Sequence, residues 1–382
     1  MMNYIDPVLH NYAWGSHTFI QQFLNIEHPE PLAEAWYSAH PQAPSMVGKS
    51  PLDVLIKQNP EYWLGSINSK LPFLLKVLAA DQALSLQVHP SKKQAEEGFI
   101  RENDKQIPID APQRNYRDDN HKPEMIMALT DFYAMCGFRN YNDIIMLFKH
   151  FKLGTLFSTY QYFAKDPSPD SFQAFYQEIL ERKPMPQLAE HILKLHNSDR
   201  WENELKWTKY LLSLYPEDCT AISPLLLNLI HLKPFQAIFL ESGIVHAYLQ
   251  GAGIEIMAAS DNVLRAGLSP KHIDVEELLK VMRYSPYQPS IYPAQSAKHH
   301  LIEYSNPTSD FLLSRVLIDS KYSLPNKSGV RILLNLDGDC TLLHKSEEIH
   351  LKKGSAVILP SAKQDISIIG NAHIIMASDG TK

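Results

Sequence analysis

The chain has 382 residues, of which 45% are hydrophobic, and this length allows roughly two to three domains around a large buried core. Its 42 acidic and 36 basic side chains give a net charge of -6 at pH 7, and the Lys and Arg residues are scattered. This balance excludes the basic surface of a protein that binds nucleic acid or an anionic membrane. An anionic small molecule would need positive charge at one local site.

Cysteine usage and the start of the chain indicate the compartment. Cys136, Cys219 and Cys340 are few, odd in number and far apart, which argues against a disulfide framework or a cysteine zinc site and fits a reducing compartment. Residues 1–7 lack the charged start and apolar core of a signal peptide. The most apolar run, 225–230, is too short to cross a bilayer. We therefore expect a cytoplasmic protein, and the sequence gives no sign of an obligate protein partner.

The first 231 residues divide by their apolar pattern. From residue 1 to about 150, short alternating runs are separated by Pro, Asn, Asp and Gly, which is typical of β structure with loops. The polar loop 101–120 is expected to be mobile or to cover a substrate. Between 151 and 231 the spacing becomes helical and predicts a helical insert. The residues at helical spacing are Leu188, Ile192, Leu195, Trp201, Leu205, Leu212 and Tyr215. Ser223-Pro224 is a typical helix start, and Lys233-Pro234 would end that helix.

The β pattern resumes over about 232–290, where the apolar run Ala237–Leu240 predicts a buried strand. Repeated prolines in 284–293 indicate an extended linker. Residues 291–382 predict a second β module of short antiparallel strands. Its predicted strands are 331–336, 340–343, 354–360 and 373–376, with a turn at 337–339. The pattern alone therefore predicts an all-β protein with a helical insert.

The segment Leu84–Pro90 is the most informative about chemistry. Alternation along a strand places Ser85, Gln87 and His89 on one polar face and the apolar residues on the other. An imidazole and an amide turn inward only where something offsets their desolvation, and a metal ion does so. Taken alone, however, this segment is better explained as a polar sheet face in water.

Two later segments could complete a metal site. His121 and Glu124 are three residues apart, but the proline between them argues against a helix, so only one of the two is expected to reach the metal. His246 follows two apolar residues, a setting where a lone histidine is more often a satisfied core residue. Together with Gln87 and His89, these groups would form a nitrogen and oxygen site of the kind that suits zinc.

Two further residues are candidates for catalysis. Arg265, in the segment 261–267, could be a solvated turn residue, or its permanent charge could stabilise an anion. Glu255 is a carboxylate within the apolar segment 253–257, where burial should raise its pKa and suit it to proton transfer. Its alternative role is a structural ion pair with a neighbouring Lys or Arg.

Five segments, in the same order, closely resemble type I mannose-6-phosphate isomerases. These segments are 71–78, 84–90, 118–125, 136–139 and 260–268. The resemblance runs from Asn11–Gly15 to about Asp274, is loose in the middle and is thin after that. It implies a mainly β fold with two cupin-like jelly-roll barrels and an α-helical insert domain. The expected parts are 1–150 and 232–290 for the catalytic cupin domain, 151–231 for the helical insert, and 291–382 for the C-terminal cupin-like domain.

The resemblance also implies roles for individual residues. It selects Glu124 over His121, and one Zn²⁺ per chain would be held by Gln87, His89, Glu124 and His246. Arg265 matches the accepted catalytic position. The residues expected to contact the substrate are Ser85 and Lys76 on the phosphate side, Trp14 and Tyr248 along the sugar pocket, and Asp261. As alternatives, Lys76 could be a strand lysine that extends its amine to solvent, and the two aromatic residues could be plain core residues.

The hypothesis that follows is a zinc-dependent aldose–ketose isomerase that interconverts mannose 6-phosphate and fructose 6-phosphate through a cis-enediol. Arg265 would offset the developing negative charge, and Glu255, then Lys122, are the candidates for the base that shuttles the proton. One alternative is a cupin that binds a sugar phosphate without turnover. A second is a non-haem iron oxygenase, because two His and one carboxylate also suit iron, although Gln87 as a fourth ligand argues against it.

Overall fold

The computed structural model describes residues 2–66, 69–181, 185–196, 200–294, 300–326, 328–361 and 365–380. The N-terminal elements are β1 (Asn3–Tyr4), β2 (Val8–His10), α1 (Phe19–Leu24), β3 (Glu34–Tyr37), β4 (Ala39–His40), β5 (Ala43–Pro44), β6 (Met46–Val47), β7 (Ser50–Pro51), α2 (Leu52–Gln58), α3 (Pro60–Leu64), β8 (Phe73–Ala80), β9 (Leu86–Val88), α4 (Lys92–Asp104), β10 (Glu124–Ala128) and β11 (Phe132–Phe138). The middle elements are α5 (Tyr141–His150), a 3-10 helix (Gly154–Leu156), α6 (Tyr160–Lys165), α7 (Pro169–Glu181), α8 (Pro186–Lys194), α9 (Glu202–Leu214) and a second 3-10 helix (Cys219–Leu225). The remaining elements are β12 (Leu227–Leu232), β13 (Ala237–Leu240), β14 (His246–Ala258), β15 (Leu264–Gly267), α10 (Val275–Val281), β16 (Ile291–Tyr292), β17 (Leu301–Tyr304), β18 (Leu312–Ile318), β19 (Lys321–Ser323), β20 (Arg331–His344), β21 (Glu347–Leu351), β22 (Ala356–Leu359) and β23 (Ser367–Ser378).

The long strand β14 is the centre of the first β unit. In the described part of the chain it belongs to an 11-stranded sheet with the main order β16-β13-β10-β14-β8-β3-β2. Along its length β14 pairs antiparallel with β8, β9, β10 and β11. Three strands that carry predicted site residues therefore pair with β14, which itself carries three: Lys76 is on β8, Gln87 on β9 and Glu124 on β10, while His246, Tyr248 and Glu255 are on β14.

A bulge in β14 changes which residues face the interior. Tyr133 of β11 pairs with Gln250, whereas the next residue, Ala134, pairs with Tyr248. The bypassed residue reverses the alternation of side chains along the strand. Tyr248 and Glu255 therefore point into the same cavity although their spacing is odd, and their side chains are hydrogen-bonded.

The second β unit is built on β20 and β23. Its described strands form an 8-stranded sheet with the main order β1-β22-β20-β23-β18-β17. The predicted turn at 337–339 is wrong, because β20 continues through these residues and pairs with β23 on both sides of a register shift between Asn335 and Asp337. Gly338, with a φ of 74°, takes up the irregularity within the strand, so no hairpin is needed.

The helical part contains α5 to α9. The predicted helical face is confirmed, because Leu188, Ile192, Leu205 and Leu212 are buried on α8 and α9. The predicted helix from Ser223-Pro224 is wrong. The proline lies inside a 3-10 helix that ends at Leu225, and the apolar residues that follow form β12, paired with β11. Within the described residues, no helix combines the length and the apolar character that a membrane crossing requires.

One apolar core extends from the first β unit into the second. Tyr37 and Leu75 of the first unit belong to the same buried cluster as Ile332, Leu334 and Ile375 of the second. The mainly β architecture with two β units and a helical part therefore agrees with the prediction, while the domain boundaries remain a prediction.

Candidate metal centre

Three buried side chains meet where β9, β10 and β14 come together. His89 lies directly after β9, Glu124 begins β10 and His246 begins β14. Each is 1% exposed. Their ligand atoms all lie within 4.8 Å of one another. Three separate segments therefore supply one compact set of nitrogen and oxygen donors.

The hydrogen bonds of this set leave its ligand atoms free. Nδ1 of His89 bonds the main-chain oxygen of Asn262 at 2.8 Å, and Nδ1 of His246 bonds that of Ile244 at 2.9 Å. Because a carbonyl only accepts, each Nδ1 carries the proton and each Nε2 keeps its lone pair. Both Nε2 atoms and Oε2 of Glu124 are buried without a hydrogen-bond partner. The arrangement fits a divalent cation, which would satisfy all three atoms at once.

The pKa shifts of His89 and Glu124 favour the protonation states that bind a metal. Burial lowers the pKa of His89 to about 4, so its imidazole is neutral near pH 7. Burial alone would raise the pKa of Glu124, but Lys122, whose Nζ is 3.2 Å from Oε1, and His89 hold it well below its usual range. A neutral imidazole and an ionised carboxylate are the states that bind a metal.

Gln87 lies on the strand between two other site residues. In register, it is the partner of His246 on one side and of Arg265 on the other. Its side chain lines the cavity beside Glu124. Gln87 can therefore supply a further oxygen ligand. By contrast, Nε2 of His121 bonds Oδ2 of Asp310 at 2.8 Å, and this contact is made to the second β unit.

The cavity above Glu124 has a volume of about 540 Å³. The predicted site residues that line it are Trp14, Lys76, Ser85, Gln87, Lys122, Glu124, Tyr248, Glu255, Asp261 and Arg265. His89 and His246 lie deeper and are not among its lining residues, whereas Glu124 contacts both. In the loop 101–120, predicted to be mobile or to cover a substrate, the buried Arg114 packs against Glu102. Four residues of this loop line the cavity: Pro112, Arg114, Asn115 and Arg117.

Glu255 sits in a buried polar network. Its Oε2 is 2.8 Å from Nζ of Lys76, and its Oε1 accepts a hydrogen bond from the Tyr248 hydroxyl at 2.8 Å. Lys76 also approaches Glu34, whose other oxygen accepts from the Trp36 indole. The ion-pair alternative for Glu255 is therefore present in the structure. Lys76 is 6% exposed, so the alternative of an amine extended to solvent is wrong.

Burial sets the acid–base state of this network. It raises the pKa of Glu255, against the opposing effect of Lys76. Burial, followed by the charge of Glu255, also holds the pKa of Tyr248 well above its usual value. Glu255 is thus a carboxylate with increased basicity that faces the cavity, as proton transfer requires.

Cations without carboxylate partners cluster at another part of the cavity wall. Burial and the charge of Arg117 lower the pKa of Arg265, while the charge of Arg265, then burial, lowers the pKa of Lys271. In the described residues, none of these three cations forms an ion pair with a carboxylate. Three residues that line this cavity were not predicted from the sequence: Lys271, Arg117 and Glu34. For Arg117 the polar loop 101–120 was a signal, and for the other two we find none.

A buried His, Glu and His set where three strands of the first β unit meet, beneath a cavity lined by cations without carboxylate partners, fits a cupin-type metalloprotein. Comparisons with known proteins narrow this class. The chain matches the sequence models "Phosphomannose isomerase type I, catalytic domain" over residues 2–141 and "Mannose-6-phosphate isomerase, cupin domain" over residues 301–378. The chain belongs to the type I phosphomannose isomerase family.

Relatives match along nearly the whole chain. It is 34% identical to the mannose-6-phosphate isomerase of Escherichia coli K12 over 95% of this chain and 96% of that protein. It is 30% identical to the human mannose-6-phosphate isomerase over 95% of this chain and 94% of that protein. A Salmonella typhimurium mannose 6-phosphate isomerase solved with fructose 6-phosphate and zinc has a TM-score of 0.91 and 32% identity, with full coverage of both chains.

Proposed function

We propose that this chain is a zinc-dependent isomerase that interconverts mannose 6-phosphate and fructose 6-phosphate. One observation supports this proposal most strongly. The buried ligand atoms of His89, Glu124 and His246 have no hydrogen-bond partner, and they lie beneath a cavity that is lined by a carboxylate of raised pKa and by cations without carboxylate partners. Relatives named mannose-6-phosphate isomerase match along nearly the whole chain, and one was solved with zinc. Cys136, Cys219 and Cys340 are buried thiols, which supports a cytoplasmic location.

Zinc would be held by His89, Glu124 and His246, with Gln87 as the fourth ligand. When bound, it would act as a Lewis acid for the oxygens at C1 and C2 of the sugar. Gln87 supports zinc over the iron site of an oxygenase, in which two His and one carboxylate leave the other positions open.

Glu255 is the proposed base. Moving the carbonyl between C1 and C2 needs a proton taken from one carbon and returned to the other through a cis-enediol. The Glu255 carboxylate faces the cavity, and Lys76 and Tyr248 fix both of its oxygens. Lys122, whose amine lies 3.2 Å from Glu124, is the second candidate. Glu255 is favoured because burial increases the basicity of its carboxylate.

The cation cluster would receive the anionic groups of the substrate. Arg265, beside Gln87 in register, is close enough to the ligand strand to offset charge that develops on the enediolate. Arg117 and Lys271 would bind the phosphate. Ser85, Trp14, Tyr248, Asp261 and Lys76 line the cavity and remain predicted contacts of the sugar phosphate.

The test is a coupled assay on mannose 6-phosphate before and after chelation, with metal analysis of the purified protein. We expect activity that chelation abolishes and zinc restores. Full activity in protein shown to be free of metal would end the zinc proposal. Binding of sugar phosphate without any turnover by the zinc-loaded protein would instead support the non-catalytic alternative.

A further inference from the structure

Asn262 is hydrogen-bonded both to a residue of the candidate metal centre and to the segment that carries Arg117 of the cavity wall. It is fully buried, with 0% exposure, in the turn between β14 and β15. Its main-chain oxygen is the acceptor for Nδ1 of His89 at 2.8 Å. Such a bond fixes the imidazole tautomer and ring orientation that leave Nε2 available to a metal. The main chain of Asn262 therefore supports one proposed ligand.

The side chain of Asn262 holds a different segment. Its Oδ1 accepts hydrogen bonds from the main-chain N–H groups of Arg117 at 2.7 Å and Asp118 at 3.2 Å. Its Nδ2 donates to the main-chain oxygens of Asp118 at 2.8 Å and Asn120 at 2.9 Å. An amide offers two donors and one oxygen with two lone pairs, so these contacts use its full capacity. One side chain thus fixes the path of the segment 117–120.

This segment carries the exposed end of the cation cluster. The side chain of Arg117 lines the cavity, and its charge lowers the pKa of both Arg265 and Lys271. No carboxylate forms an ion pair with Arg117 in the part of the chain that the structure describes. Its position consequently depends on the main chain that bears it, and Asn262 holds that main chain.

We propose that Asn262 is a positioning residue that couples the two ends of the site. Its carbonyl orients His89 toward the metal, and its amide holds the segment 117–120 so that Arg117 faces the phosphate group. This inference rests on the proposed function. Because one residue makes both contacts, a change in its side chain is expected to affect phosphate binding directly and metal binding through the shift of its own main chain.

The primary test is Asn262→Ala, measured by steady-state kinetics on mannose 6-phosphate and by zinc competition with a chromogenic chelator. We expect KM to rise about tenfold or more, kcat to change less, and zinc affinity to fall by no more than about tenfold, because the carbonyl that orients His89 is kept and only its position shifts. Asn120→Ala is the matched control, since the one hydrogen bond of its side chain to the described residues is an exposed 3.3 Å contact with the Ala259 carbonyl. The control should keep both values.

A double-mutant cycle tests whether Asn262 acts through Arg117. If it does, Asn262→Ala should raise KM much less in an Arg117→Ala background than in the native background. Independent, multiplying effects on KM would overturn the proposal, as would an Asn262→Ala protein with native KM and native zinc affinity.

A second variant covers the case in which Asn262→Ala fails to fold. Asn262→Asp leaves no void and keeps the acceptor for Arg117, but it loses both donated bonds and faces the Asp118 carboxylate, whose Oδ1 is 3.2 Å from Nδ2. We expect the same direction of change in KM and zinc affinity. A native profile for this variant would overturn the proposal. Failure of the proposed function would look different, because the native protein itself would then lack isomerase activity while the zinc measurements remained informative.

Discussion

At the scale of a single residue, Glu124 is both a proposed metal ligand and a buried charge. It is the anionic member of the proposed ligand set, and its oxygens lie 3.4 Å from Nε2 of His89 and 3.3 Å from Nε2 of His246. Without a metal these contacts leave Oε2 unpartnered, although the group is almost completely buried. Lys122 compensates the charge at Oε1 only, and a buried oxygen without a partner is costly, which makes Glu124 the most sensitive point of the centre.

The first prediction separates Glu124 from its neighbour His121. Glu124→Gln should lose zinc strongly, because it removes the anionic ligand. His121→Gln should keep zinc, because the native imidazole is directed at Asp310 and not at the centre. Zinc content after gel filtration, measured by atomic absorption, checks both variants. Equal zinc loss in the two would show that the ligand is wrongly assigned.

The second prediction concerns Arg265. Since it should stabilise charge that grows during the reaction, Arg265→Ala ought to lower kcat by at least about a hundredfold while zinc content stays native. Lys271→Ala is the comparison variant, and it should mainly raise KM because its partner would be a phosphate that keeps its charge throughout. Near-normal kcat with a raised KM in Arg265→Ala would make this arginine a substrate anchor.

Sequence motifs identified some candidate residues of the site and missed others. The resemblance of segments 84–90 and 118–125 to one protein family selected Gln87, His89 and Glu124, because the residue types of 84–90 alone also fit a polar sheet face in water. Glu34 and Lys271 have no such surroundings, and their place in the cavity depends on how distant segments meet. Such a meeting follows from tertiary packing, which local pattern does not report.

At the scale of elements, the pairing of β8 with β14 places a lysine beside the proposed base, Glu255. Glu255 and Lys76 are partners in register, and their side chains form an ion pair at 2.8 Å. The bulge in β14 is what turns this pair toward the cavity together with Tyr248. Strict alternation from His246 would have placed Glu255 on the opposite face, so the residue pattern alone could not predict their common cavity.

The third prediction is a shift in pH dependence. Glu255 must be ionised to act as a base, so kcat should fall as the pH drops through its raised pKa. Lys76 lowers that pKa, and Lys76→Met should therefore raise it further and move the acidic limb of the kcat profile to higher pH. Lys57→Met, which breaks only the exposed pair with Asp53, is the control and should leave the limb in place. An unchanged limb in Lys76→Met would argue against Glu255 as the base.

The helix predicted from Ser223-Pro224 and the turn predicted at 337–339 were both wrong because strand pairing outweighed the local sequence signal. The proline at 224 is a good helix start, yet the following residues gain a full ladder with β11 as β12. The Asp-Gly-Asp segment at 337–339 is a typical turn, yet β23 offers partners along the whole of β20. A partner strand far away in the sequence decided the outcome in each case.

The shared core joins the two β units at the scale of the whole molecule. Leu334 of β20 has 0% exposure in the cluster that also contains Tyr37 and Leu75. Apolar surface on both units is therefore removed from water by their contact. We expect the two units to unfold together.

The fourth prediction tests this coupling. Leu334→Ala should lower the free energy of unfolding by about 2–5 kcal/mol and shift a single calorimetric transition to lower temperature. Ile369→Ala on β23, where the side chain is 42% exposed, should change stability by no more than about 0.5 kcal/mol. Two separate transitions, with only one of them moved by Leu334→Ala, would show that the units unfold independently.

The pairing of β1 with β22 determines when the second β unit can fold during synthesis. Asn3 and Tyr4 are synthesised long before their strand partners, Ile358 and Val357. At about 5–20 residues per second, β1 waits on the order of twenty to seventy seconds for its partner to be made. Any nascent or truncated chain that ends before β22 lacks the partner strand of β1, so the second β unit closes only after β22 has been made.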